Sequence, residues 1–182
     1  MDKFAGKRAV ITGGVGSGKT SIIEVLRKKQ EVWVAEEQAL GMISEELQKS
    51  GQLLPWTKPL EFWKPVTDKR IAQFNGAPVK NFNCVFDRGI PEPIAFLLIE
   101  GITPPKELVE VSHKYRYDVV FWAPPWKEIY QNRPERPQSW QYAEELGLLL
   151  KKVYRSLDYE VIEVPKAAIS ERAQFILENI KN

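Results

Sequence analysis

The sequence predicts an α/β domain, a five-stranded parallel sheet with helices on both faces. Two observations carry that expectation. Short apolar, β-branched runs alternate along the chain with longer segments whose apolar residues recur at helical spacing, which is the pattern of strand–helix–strand units. Those short runs are apolar along most of their length, as strands are when helices cover both of their faces. No internal repeat, low-complexity tract or linker interrupts the 182 residues, so the chain reads as one domain spanning 1–182.

The first strand is Lys7 to Thr12, which stops at Gly13-Gly14. A helix opens near Gly18: Ile22, Ile23, Val25 and Leu26 share a face, and Arg27, Lys28 and Lys29 suit its negative end. Glu31 to Ala35 is the second strand, followed by a mostly helical excursion from Glu36 to Val79. Within it Met42, Ile43 and Leu47 form one helical face, Leu53-Leu54-Pro55-Trp56 is a break, and Pro59 to Phe74 is a further helix. Asn83 to Asp87 is the third strand, with Pro91 and Pro93 setting the start of the next helix. A helix over Lys106 to Tyr115 leads to the fourth strand, Asp118 to Ala123, which Pro124-Pro125 ends. Arg133-Pro134-Glu135-Arg136-Pro137 is a stiff polar loop, and Ser139 caps a helix running to about Arg155. Tyr159 to Val164 is the fifth strand, and Ile169 to Ile180 closes the chain as an amphipathic helix.

Composition narrows the function. Lys and Arg number 26 against 24 Asp and Glu, a net charge of +2, which gives no electrostatic reason to expect a nucleic-acid duplex as partner. The one cysteine, Cys84, excludes an internal disulfide and a cysteine-based metal site, and inside a strand it reads as a buried inert thiol. The one histidine, His113, reads as a surface or helix-end residue and argues against a His-rich zinc centre or a Ser-His-Asp triad. With no secretory signal and no apolar run near the ~18 residues of a membrane span, a reducing cytoplasm is the expected location.

Residues 13–20, Gly13-Gly14-Val15-Gly16-Ser17-Gly18-Lys19-Thr20, fit G-x-x-x-x-G-K-[ST] in full. Glycines let the backbone curl so that successive N–H groups point at phosphate oxygens, and the following helix adds its positive end. Lys19 supplies an ammonium for the β- and γ-phosphates and the Thr20 hydroxyl a ligand for Mg²⁺. The strand before the motif and the helix after it are the context the motif requires. The nucleotide-binding set is therefore Gly13, Gly14, Val15, Gly16, Ser17, Gly18, Lys19, Thr20 and Ser21. Such a loop needs a carboxylate at the end of a neighbouring strand to hold the metal, directly or through water. Asp87 closes Val85-Phe86-Asp87 and is followed by Arg88, so Thr20 and Asp87 are the metal candidates.

The chain as a whole resembles the AAA-like P-loop family of small kinase-like ATP- and GTP-binding proteins. That family includes the ribosylnicotinamide-kinase domain of a bacterial NAD-biosynthesis regulator and an insect GTP-binding trafficking protein. The resemblance rests on the glycine loop, Leu53-Leu54-Pro55-Trp56, Phe86-Asp87-Arg88-Gly89-Ile90-Pro91, Tyr117-Asp118-Val119-Val120-Phe121, Pro124-Pro125-Trp126-Lys127-Glu128-Ile129-Tyr130 and Glu160-Val161-Ile162-Glu163-Val164-Pro165, in that order. It implies a fold akin to nucleoside and nucleoside-monophosphate kinases, with an acidic residue after the second strand facing the phosphoryl acceptor. Glu37, with Glu36 beside it, matches that position. It also implies a basic lid after the fourth strand, residues 131–138, where Arg133 and Arg136 would close over the transferring phosphate. The segment 37–80 would form a helical cap on the acceptor side. There Trp56, Phe62 and Trp63 either wall the acceptor pocket or pack the cap, while Trp126 and Trp140 flank the lid as hinge anchors. Two departures fall on the acceptor side: Leu40 stands where the family often has Arg, and Glu92 where it often has Asp.

The expected function is a Mg²⁺- and ATP-dependent phosphotransferase for an unidentified small acceptor, nucleoside- or nucleotide-like, with GTP as the alternative donor. Lys19, Glu37, Asp87, Arg88, Arg133 and Arg136 are its catalytic candidates. The rival is an ATP- or GTP-operated switch that contacts a protein or lipid. The absence of an Asn-Lys-x-Asp guanine reader favours ATP.

Overall fold

Five strands form one parallel sheet in the order β2-β3-β1-β4-β5, in a computed structural model that describes residues 5–131 and 138–181. They are β1 (Arg8–Thr12), β2 (Val32–Ala35), β3 (Asn83–Asp87), β4 (Val119–Trp122) and β5 (Val161–Glu163). The helices are α1 (Lys19–Arg27), α2 (Ala39–Gln48), α3 (Pro59–Gly76), α4 (Glu92–Ile99), α5 (Lys106–Lys114), α6 (Trp140–Ser156) and α7 (Ile169–Lys181). The expected sheet is present.

β3 has the expected bounds and the other four strands are shorter than their apolar runs, although flanking backbone still bonds across the sheet, as from the Asp118 N–H to the Arg8 carbonyl at 2.7 Å. The Asp118 carboxylate accepts the Arg8 N–H at 2.6 Å, and the Tyr159 hydroxyl accepts the Tyr117 N–H at 3.1 Å. At the other end of the chain Glu31 pairs with Lys181 at 3.0 Å. Helix α3 runs two residues beyond the expected Phe74 and stops where Pro78 forces Ala77 into an extended conformation.

Alternation along β1 divides the core. Ala9 and Ile11 point to one face, where Val85 and Phe121 meet Ile22 and Leu26 of α1 and Ile176 and Ile180 of α7. Val10 points to the other face, where Phe86 and Val120 meet Ala95 of α4 and Leu146, Leu150 and Tyr154 of α6. A third cluster joins Ala39 of α2 and Phe62, Trp63 and Val66 of α3 to Leu97 of α4. Phe62 thus packs the helical excursion, the plainer of its two expected roles, and Trp63 packs there beside it.

Cys84 is fully buried in β3 and burial pushes its thiol up to about 11, so at neutral pH it is a core atom and not a nucleophile. His113 is exposed in the last turn of α5. Among the described residues no helix is long and apolar enough to cross a membrane.

Because every strand points the same way, the carboxyl ends of β1, β2 and β3 lie along one edge of the sheet. Ligands of open parallel sheets bind outside that edge.

Candidate functional site

Gly13 to Gly18 link the end of β1 to the first turn of α1. Gly18 sits at φ 83°, in the left-handed region that favours glycine. Gly14 allows a different closeness: a Cβ on it would stand 2.3 Å from the Ala143 carbonyl oxygen and 3.2 Å from the Gly147 Cα of α6. The Ser17 hydroxyl donates to the Gly14 carbonyl at 2.9 Å. The Lys19 ammonium donates to the carbonyls of Gly13 and Gly14 at 2.8 and 2.7 Å and to Ser17 Oγ at 3.0 Å. The side chain that the sequence assigns to phosphate thus spans the loop from inside it.

A cleft of about 1010 Å³ opens over this loop. Val15 to Ser21, Glu37, Asp87 and Arg88 line it together, although they come from the ends of three strands. Trp56, half exposed, also lines the cleft, and Trp63 reaches it from the core beneath while stacking on Phe96 at 4.6 Å. Trp56 therefore fits the pocket-wall reading better than Phe62 does, since Phe62 is wholly buried. Gln131 and Gln138 line the cleft as well, and Arg133 and Arg136 between them lie outside the described residues. Trp140 packs edge-on against Tyr130 at 5.5 Å, and the Tyr130 hydroxyl donates to the Gln138 carbonyl.

Of the two glutamates after β2, Glu36 faces out and meets Arg27 at 3.7 Å, whereas Glu37 turns in. Glu37 accepts the N–H groups of Ala39 and Leu40 at 3.0 and 2.6 Å, which ties it to the first turn of α2. It also pairs with Arg70 of α3 at 3.2 Å, both side chains being nearly buried. Burial alone would raise its pKa, but Arg70, Arg88 and the two amides outweigh it and hold the carboxylate below its ordinary value. Arg70 also donates to the Gly89 carbonyl at 2.9 Å, so it fixes the turn after β3 as well as Glu37.

Arg88 follows β3 with φ 68°, a left-handed conformation that costs a non-glycine residue about 1 kcal/mol or more. Its guanidinium pairs with Glu92 at 2.6 Å and reaches the Gly13 carbonyl at 3.4 Å. Burial works against its charge, but Glu92, Glu37 and Asp87 overcome that and push its pKa upward. Asp87 is the opposite case. Burial, helped by Glu37 and Glu92, raises its pKa against the pull of Arg88 and Lys19.

That elevated carboxyl and the exposed Thr20 hydroxyl line the same cleft. They are hard oxygen donors that suit Mg²⁺, an ion that takes one or two protein ligands and completes its shell with phosphate and water. A cation beside Asp87 would relieve the burial that raises it. The residues fit the ion. No group of three His, Cys, Asp or Glu side chains that could hold a metal occurs among the described residues.

Sequence reading passed over Arg70, and also the Glu100–Tyr142 pair at 3.1 Å that lines the far side of the cleft. The signal for Arg70 was present: it falls three and four residues beyond Thr67 and Val66, on the face of α3 that Trp63 and Val66 bury.

If the chain is the phosphotransferase its sequence leads one to expect, Glu37→Gln should retain nucleotide binding and lower kcat about 100-fold. It should also destabilise the fold by about 3 kcal/mol, because Arg70 is left as an uncompensated buried charge. Steady-state kinetics together with urea unfolding checks both. Normal turnover in a folded variant would remove Glu37 from the chemistry.

The model of the AAA domain family matches residues 8–172. No curated protein matches the chain in sequence. Among solved structures, deoxyadenosine kinase from M. mycoides with bound dATP superposes with a TM-score of 0.67 at 17% identity, covering 97% of this chain and 100% of that one. The same enzyme with bound dCTP gives a TM-score of 0.66 at 16% identity over 96% of this chain and 98% of that one. Thymidylate kinase from Candida albicans gives 0.65 at 16% identity over 97% of this chain and 92% of that one.

Proposed function

We propose, because the chain belongs to the AAA domain family, that it is a Mg²⁺-dependent phosphotransferase which moves the γ-phosphoryl group of ATP to a hydroxyl of a small nucleoside- or nucleotide-like acceptor. The observation that carries this reading is the meeting of the glycine loop, Asp87, Arg88 and Glu37 in one cleft that continues onto Trp56 and Trp63. Likeness in fold to deoxyadenosine and thymidylate kinases supports it. The alternative donor is GTP.

The loop amides and Lys19 bind the triphosphate, with Thr20 and Asp87 on Mg²⁺, which when bound neutralises charge on the phosphates. Glu37 orients the acceptor hydroxyl, whose oxygen forms the new bond to phosphorus. The bond from that phosphorus to the bridging oxygen breaks, ADP leaves, and the hydroxyl proton passes to Glu37 or to water. Arg88, with Arg133 and Arg136 of the lid, offsets charge on the group in transit. Placement and electrostatics supply most of the rate.

A second reading, a nucleotide-operated switch with a protein or lipid partner, draws on Glu37. Its oxygens are already engaged by Arg70 and two amides, which weakens it as a base.

Calorimetric titration with ATP and GTP, with and without Mg²⁺, followed by an acceptor screen with labelled ATP, tests both readings. Mg²⁺-dependent ATP binding with acceptor-dependent transfer is expected. Preference for GTP without transfer would favour the switch, and binding of neither nucleotide would end the kinase reading.

A further inference from the structure

Three arginines approach this site, and two of them face a carboxylate: buried Arg70 meets Glu37 and partly buried Arg88 meets Glu92. The third, Arg172 of α7, meets none among the described residues. It is 1% exposed, and its guanidinium lies against the loop. Nη2 donates to the Ser17 carbonyl at 3.0 Å, and Nη1 stands 2.6 Å from where a Cβ on Gly18 would be. The guanidinium carbon is 5.8 Å from the centroid of the Trp126 ring, and Nε is buried without a hydrogen-bond partner. Burial lowers its pKa, yet a guanidinium keeps its proton at physiological pH. A solitary buried cation costs several kcal/mol, and this one is held beside a loop shaped to receive anions.

We infer that Arg172 is a positioning residue of the donor site, whose counter-charge is the polyphosphate of the bound nucleoside triphosphate. The inference rests on reading the loop as a triphosphate site. Two effects follow from the geometry. The charge of Arg172 adds to the field felt by the phosphates across one layer of backbone, where screening by water is weak. Its bond to the Ser17 carbonyl also fixes the Ser17–Gly18 peptide plane. In a planar trans peptide the Gly18 N–H then points the opposite way, away from Arg172. One of the loop's amides is thereby held in direction before nucleotide arrives.

Arg172→Met keeps an apolar stem and removes the charge and the fork, whereas Arg172→Lys keeps the charge. With the full chain, MgATP affinity is measured by calorimetry and the unfolding temperature of the ligand-free protein by thermal scan. The Met variant should bind MgATP about 10-fold more weakly or worse, and Lys should recover at least half of that loss on a logarithmic scale. The ligand-free Met variant should unfold no lower than the wild type, since a solitary buried charge has gone. Unchanged MgATP affinity in the Met variant overturns the inference. So does a loss that Lys does not recover, or one accompanied by a lower unfolding temperature, because either marks a structural prop. If the wild type binds no MgATP, the triphosphate reading falls and takes this one with it; if the wild type binds and the Met variant matches it, this inference falls alone.

Discussion

Lys19→Ala should weaken MgATP binding at least about 100-fold and lower phosphoryl transfer about 1000-fold. A charge-assisted hydrogen bond contributes about 1.5–3 kcal/mol, and an ammonium reaching two phosphates makes more than one. The side chain has a second task, because it bonds the carbonyls of Gly13 and Gly14 and the Ser17 hydroxyl. Its removal frees the loop as well as deleting a charge, so the loss should exceed that of a simple surface contact. Unfolding separates the two contributions: the hydrophobic layers on either side of β1 do not involve Lys19, and the ligand-free variant should stay folded at 25 °C. Calorimetry on that folded variant gives the affinity. Affinity within a factor of three of the wild type would mean that the loop is structural in this chain.

Asp87→Asn should lower transfer about 1000-fold and leave the ligand-free protein at least as stable as the wild type. The first effect follows, on the proposed reading, from losing the anionic ligand that Asp87 would give Mg²⁺. The second follows from the raised pKa, caused by burial and by the nearby carboxylates of Glu37 and Glu92. A group that binds its proton more tightly folded than unfolded makes the fold lose stability as pH rises from the unfolded value to the folded one. Above that window the full penalty persists, and wild-type protein carries it at neutral pH. Asn removes it. The stability advantage of the variant should therefore be present at pH 7, shrink as pH falls toward the ordinary Asp value, and vanish at about pH 3, where Asp is protonated in both states. Glu37 has the opposite sign: its lowered pKa stabilises the fold above the ordinary Glu value, and that contribution is lost as pH falls through the folded value. Thermal unfolding of Asp87→Asn and the wild type from pH 3 to 8 is the measurement. A variant less stable than the wild type at pH 7 would place Asp87 among residues that hold the fold.

The loop and its supports were legible because they are contiguous: strand, glycines, lysine and helix occupy residues 8–27 without interruption. Asp87 was legible because it ends an apolar run. The strands were found by their apolar character and misjudged at their ends, where hydrogen bonding decides and not hydropathy; the Asp118 carboxylate accepts the Arg8 N–H and the Asp118 N–H donates to the Arg8 carbonyl, yet β4 begins only at Val119. Arg70 and Arg172 were missed for a shared reason. Each lies in a helix rich in charges and reads as solvated until its position on the apolar stripe is noticed. Arg172 stands four residues before Ile176 and eight before Ile180, both buried. A cation on such a stripe must be reaching toward something polar, and here both reach the phosphate-loop edge of the sheet.

Helix α6 begins at Trp140, just after the segment 132–137, and two turns later its Gly147 lies against Gly14 with no side chain between them. Pro125 closes on the same spot, its Cγ 2.8 Å and the Gly14 nitrogen 3.3 Å from where a Cβ on Gly147 would stand. Long side chains can bend to absorb a shift, but two backbones in contact cannot. A side chain at position 147 would therefore have to displace Pro125 or the Gly14 backbone, so the spacing between helix α6 and the glycine loop is set by two residues that carry none.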